Sequence, residues 1–305
     1  MLAVLSAGCS VERLATNKLA DTLAASGTTY AADDDPELVG AALPFSLKLM
    51  ESVLASVPAH RGLLAATSAG FTQYAYGWVQ QEGDVLGLDD TDRAWIAWNR
   101  ARGLFLRARD YGLRGLDAAL PGFSAELRAN HATAVQRATA AEADLLYWTA
   151  VSWAAAVSLG KDEPALVAEL PIVSALIDRA LAVDEDWDRG AIHAFLISYG
   201  MARPDVAGDR VAMVKRHFDR AVLLSQGRVA GPWLAWAESV CIPQEDRDCF
   251  VNALQTALRI DLAAEPGSRL VNTVLQRRSH WLLENVDRWI LPPLPEEPGG
   301  EGAGT

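Results

Sequence analysis

The sequence predicts an all-α protein built from helical hairpins, a divergent tetratricopeptide-like α-solenoid. Three observations carry that expectation. Apolar positions recur at helical spacing along almost the whole chain, while period-two runs of β-branched residues are nearly absent. Three segments, LIDRALAVDED, HFDRAVLLSQG and ALQTALRIDLA, share a pattern: a small alanine (Ala180, Ala221, Ala257) follows a large apolar residue (Ile177, Phe218, Leu254) by three positions. Acid-then-proline pairs mark helix starts at Asp35-Pro36 and Glu163-Pro164, where proline suits the first helical position and the acid suits the helix dipole.

The chain opens MLAVLSAGCS, a short apolar run leading to Ser6-Ala7-Gly8-Cys9 that resembles a bacterial lipobox. On this reading residues 1–8 are a residual signal segment and Cys9 is lipidated. The protein is then periplasmic and held to a membrane by its lipid anchor alone. Ser10 leaves outer-membrane sorting open. The other reading is a cysteine that happens to lie near the start of a cytosolic chain. After these first positions no run of 18 apolar residues occurs, so no spanning helix is expected.

The helical domain is expected to fill residues 9–291. Asp33-Asp34-Asp35 reads as a solvated helix start rather than a metal site. A fourth, weaker copy of the repeat pattern, KLMESVLASVP, ends at Pro58. The stretch from Gln81 to Asp92, QEGDVLGLDDTD, is the strongest candidate for a long internal loop. The next helical pattern carries Arg93, Arg100, Arg107 and Arg114 at intervals of seven, with Gly103 and Gly112 expected to interrupt it. Such a row is either a solvated face or a docking face for an acidic partner.

Further on, the clearest helix covers Pro171 to Val183, with Val173, Leu176, Ile177, Ala180 and Leu181 on one face. Val214, His217, Phe218, Ala221 and Leu224 share a second face; Phe250, Val251, Leu254, Ala257 and Leu258 share a third. The repeat spacings, Ala180 to Ala221 and Ala221 to Ala257, exceed a strict tetratricopeptide period, so insertions separate the copies. Each pair of helices is too apolar to stand alone, and stacking neighbours would build one core and a binding face. From Pro292 the chain is mostly Pro, Gly and Glu, and residues 292–305 read as a disordered tail.

A net charge of -12 disfavours nucleic acid as a partner. The three cysteines lack CxxC spacing and the five histidines are scattered, so neither a metal nor another cofactor is expected. Cys241 and Cys249 flank a short polar loop, and the sequence leaves a disulfide and two separately buried thiols equally open. No nucleophile, base and orienting group come together in any motif, so binding rather than catalysis is expected. His193 reads first as a hydrogen-bonded packing histidine. Ten tryptophans are many for 305 residues, and several fall in helical pairs: Trp95 with Trp98, Trp233 with Trp236, and Trp148 near Trp153. They serve cores, interfaces or apolar ligand cavities.

Three stretches carry a family resemblance. The segment from YWTAVSW through DWDRGAIHAFLISY, the earlier DDDPELVGAALPFSLKLMESVLASVP, and the closing RLVNTVLQRRSHWLLENVDRWI together resemble the T component (TatT) of TRAP-type transporters. The resemblance implies an all-helical periplasmic lipoprotein with tetratricopeptide-like repeats that partners the extracytoplasmic solute-binding protein. It also implies a homo-oligomer, with a trimer as the suggested form, and a small hydrophobic or organic-acid solute. Matching positions point to a ligand cavity at Tyr147, Trp148, Trp153, Trp187, Arg189, His193 and Phe195. A general cell-envelope scaffold that binds protein partners is the alternative function.

Overall fold

A computed structural model describes the backbone of residues 5–292 and the side chains of residues 13–292. Among the described residues every regular element is helical and no strand occurs. The first helix, α1 (Leu5–Ala25), includes the backbone of Cys9. Residues 1–4 of the expected signal segment, the Cys9 side chain, and the tail after Pro292 lie outside the described residues.

After α2 (Gly27–Ala31) comes α3 (Pro36–Ser56), which starts where its acid and proline predict. The Asp35 carboxylate accepts from the Leu38 amide at 2.9 Å, capping an otherwise unsatisfied donor. Val39, Leu43, Leu47, Met50 and Leu54 are buried on its inner face, while Leu38 and Phe45 stay exposed. By length and composition alone this helix is apolar enough to cross a membrane, with a mean hydropathy of 1.5 over 18 residues, while its inner face is buried in the core. Lys48 and Glu51 break the apolar run, so no uninterrupted stretch of 18 apolar residues occurs in it.

The helix α4 (Arg61–Tyr74) continues through a π-helical turn, Ala75–Gln80, into α5 (Gln81–Leu86). The loop expected over 81–92 is therefore mostly helix. Its glycines mark a close approach instead. A Cβ at Gly83 would lie 2.7 Å from the Trp98 ring, and one at Gly87 would lie 3.0 Å away. The helix α6 (Thr91–Ala119) then runs unbroken, against the expected interruptions at Gly103 and Gly112. Gly112 sits where a Cβ would collide with Thr149 on α9 (Ala143–Ser158), so it admits a neighbouring helix instead of ending its own.

Between them lie the short helices α7 (Phe123–Ala129) and α8 (His131–Ala134). The rest follows as α10 (Pro164–Val167), α11 (Leu170–Val183), α12 (Trp187–Ala202), α13 (Arg210–Leu224), α14 (Gly231–Trp236), α15 (Arg247–Leu258), α16 (Arg269–Glu284) and α17 (Val286–Trp289). The expected apolar faces are inward: Val173, Leu176, Ile177 and Ala180 on α11, Val214, Phe218 and Ala221 on α13, and Phe250, Leu254 and Ala257 on α15. The repeat alanines lie at helix contacts. A Cβ at Gly190 of α12 would meet the Ala221 backbone of α13 at 3.3 Å. A second π-helical turn, Ala237–Cys241, ends at Cys241, which is joined to Cys249 by a disulfide with the Cα atoms 5.6 Å apart.

The largest core joins α6, α9, α11 and α12, and a second joins α14, α15 and α16. The path then closes on itself, because α16 packs against α2 and α3.

Candidate functional site

The aromatic residues singled out in the sequence converge where α9 meets α12. Tyr147 and Trp148 come from α9, Trp187 and Phe195 from α12. The Tyr147 ring lies 5.0 Å from Trp148, edge to face, 4.5 Å from Trp187 and 6.4 Å from Phe195. Trp148 and Trp187 stand nearly perpendicular with centroids 6.3 Å apart. Tyr199 extends the group, stacked on Phe195 at 5.3 Å. Tilted and edge-to-face contacts match the quadrupoles of the rings. Burial holds the Tyr147 hydroxyl neutral far above its ordinary range, and the Asp188 carboxylate adds to that effect.

A strained turn sets the direction of Trp187. Asp188 (φ 42°), Arg189 (φ 56°) and Gly190 (φ 87°) are all left-handed. Only the glycine takes this conformation freely, and each of the other two costs about 1 kcal/mol or more. The Arg189 side chain ties the turn down from outside. It donates to Ser268 Oγ at 2.7 Å and pairs with Glu265 at 3.2 Å. Arg189 therefore serves the 265–268 turn and lies apart from the rings.

His193 is buried two residues before Phe195 and faces α13. Its Nδ1 lies 2.9 Å from Nδ1 of His217, and its Nε2 has no hydrogen-bond partner among the described residues. At this distance one ring donates and the other accepts, so at least the accepting ring is uncharged. Burial lowers both pKa values, that of His217 to about 4 with His193 as the second cause. Trp153 points elsewhere. It lies within the largest core, donates to Glu169 at 2.8 Å and carries the Arg109 guanidinium over its ring at 5.0 Å.

All four arginines of the seven-residue row lie on α6. Arg100 donates to the Tyr74 hydroxyl at 3.1 Å, Arg107 pairs with Glu51, and Arg114 donates to the Pro58 carbonyl at 3.4 Å. Arg93 stands 4.0 Å from Asp90, the residue that caps the helix.

Sequence reasoning missed a second cluster, centred on Arg278 of α16. Its guanidinium donates to Asp84 of α5 at 2.7 Å and to Glu238 of the second π-helical turn at 2.6 and 3.0 Å. Trp98 donates to the other oxygen of Asp84 at 2.8 Å, and Trp281 lies under the guanidinium at 5.5 Å. Burial opposes the Arg278 charge, yet Glu238, Tyr76 and Asp84 hold it above the ordinary arginine pKa. Tyr76, on the first π-helical turn, is pushed up to about 12 by the same burial. Both π-helical turns thus contribute to one polar group, and such turns are frequent at functional sites. No local motif announces it, because Asp84 and Glu238 lie 194 and 40 residues from Arg278.

An uncharacterized protein of Treponema pallidum (strain Nichols) is 29% identical over 306 aligned positions, which span 94% of this chain and 95% of that protein. The family model described as TRAP transporter T-component matches residues 32–289, and on that extent the chain belongs to the TRAP transporter T-component family.

Proposed function

We propose that this chain works by binding, as the accessory component that docks the extracytoplasmic solute-binding protein of a TRAP transporter and holds or passes its solute. Membership of the T-component family over residues 32–289 carries this reading. The Tyr147, Trp148, Trp187 and Phe195 cluster supplies the apolar surface for a ligand, and it sits on backbone strain of a kind that gathers at ligand sites. Among the two solute classes the rings favour a small hydrophobic one, since Arg189, the cation the sequence placed with them, is already paired with Glu265.

The helical hairpins are read as a tetratricopeptide-like stack. The protein is read as periplasmic and anchored through Cys9, and the Cys241–Cys249 disulfide fits an oxidising compartment. Self-association, with a trimer as the form to test first, would cover the exposed Leu38 and Phe45 of α3.

The deciding experiment is co-purification with the transporter's own solute-binding subunit, followed by native mass measurement of the complex. Docking predicts a stable complex whose affinity is kept in a Trp148→Ala variant, while solute retention is lost. Absence of any complex overturns the reading in favour of a general envelope scaffold.

A further inference from the structure

We propose that the arginine stripe of α6 is the docking surface, and that it receives a partner helix carrying carboxylates at seven-residue intervals. This deepens the docking role above and rests on it.

The stripe is regular. Arg93, Arg100, Arg107 and Arg114 share one unbroken helix. Seven residues rise about 10.5 Å, so the four side chains span roughly 31 Å. A second helix laid alongside has the same rise, and acids placed every seven residues meet each arginine in turn.

The stripe is also pre-organised. The Arg100 guanidinium lies over Tyr74 at 5.8 Å, Arg107 over Phe71 at 5.1 Å and Arg114 over Tyr111 at 5.0 Å. A guanidinium settled on a ring loses side-chain freedom before binding and keeps in-plane N–H groups for a carboxylate. Arg100 and Arg114 have no carboxylate partner among the described residues. Between the arginines lie Ile96, which is 63% exposed, and Gly103, whose added Cβ would meet nothing within 4 Å. The surface there is low and apolar, which suits close packing of a helix.

Charge separates this face from the rest of a chain of net charge -12. Several of the acids near it are engaged, Asp90 among them as the cap of α6, 4.0 Å from Arg93. Asp110 is held by Arg109 at 2.8 Å, and the nearly buried Glu51 serves Arg107, Lys48 and Tyr111. A positive stripe on an acidic molecule orients an acidic partner during encounter.

The test is the association rate of the purified solute-binding subunit with wild type, with R100E/R114E, and with R216E/R259E. The last pair changes net charge equally but lies on α13 and at the end of α15, where Arg216 and Arg259 have no carboxylate partner among the described residues. At about 50 mM salt R100E/R114E should associate at least about tenfold more slowly, and R216E/R259E within about twofold of wild type. The milder R100Q/R114Q should lie between them. Thermal unfolding of each variant confirms that it folds. If wild type binds and R100E/R114E binds equally fast, the surface is refuted while the docking role stands. If wild type itself fails to bind, both fall.

Discussion

Two junctions in this molecule join distant parts of the chain by opposite means. At the junction of α9 and α12, rings from Tyr147, Trp148, Trp187 and Phe195 interlock by shape. Where α16 and α17 return to the amino-terminal elements, arginines make the described polar contacts: Arg269 to the Ala32 carbonyl, Arg277 to Glu37, Arg278 to Asp84, and Arg288 to Asp89. The first junction brings together residues a few dozen positions apart, the second residues 194 to 240 apart. Apolar contact is tolerant of small shifts and salt-insensitive. Charged contact is specific, and it becomes costly when one partner is lost from a buried site. The difference therefore shows in how each junction should fail.

The largest effect is expected at Arg278. Replacing it with Met strands Asp84 and Glu238 in a poorly hydrated site and should cost about 3–5 kcal/mol in urea unfolding. Arg278→Lys should recover little, since one ammonium cannot replace a fork shared by two carboxylates. A loss of less than about 1 kcal/mol would show that the charges do not hold the closure.

Next comes Trp187→Ala, expected to cost about 2–3 kcal/mol because the site is only partly closed, with Trp187→Phe recovering much of it. Failure of Phe to recover stability would mean that shape is not what holds this junction.

The histidine pair lies beside the aromatic junction and should make it acid-sensitive. The groups facing it are Asp178 on α11, Arg203 after α12, Arg216 and Arg220 on α13, and Glu185 and Asp186 in the preceding turn. Both folded-state pKa values are depressed, so the unfolded chain takes up protons first. The contribution is fully present above the ordinary value of 6.5 and is lost as pH falls toward about 4. Stability measured across that window should decline less steeply in His217→Gln than in wild type. Equal slopes would remove the pair as the cause.

The smallest effect belongs to Arg277→Ala. Its ion pair with Glu37 is exposed and screened, and the unfolding midpoint should not move measurably. A clear shift would extend the charge dependence of the closure from its buried centre to its rim.

Much of the fold was legible because its signals are local. Helical periodicity placed α11, α13 and α15 and their buried faces, and the Asp35-Pro36 pair placed the start of α3. The aromatic cluster was partly legible, because YWTAVSW and DWDRGAIHAF concentrate rings on two nearby helices. Glycine misled twice. Gly103 and Gly112 look like breaks in a one-dimensional pattern and the stretch from Gln81 to Asp92 like a loop, yet α6 runs through both glycines, and at Gly83 and Gly112 Trp98 or Thr149 comes too close for a side chain. The family resemblance places Trp153 with Tyr147 and Trp148 in a ligand cavity, as part of YWTAVSW. Its position on α9 instead turns it into the core, toward Glu169 and Arg109.

By itself the sequence determined the all-helical class, the inward faces and the helix caps, because these depend on residues within a turn or two of one another. Only the tertiary structure decided the Arg278 closure, the His193–His217 pair and the joining of Cys241 to Cys249. Those contacts depend on how helices pack in three dimensions, and spacing along a chain carries no record of which charges, imidazoles or thiols will be brought within bonding distance.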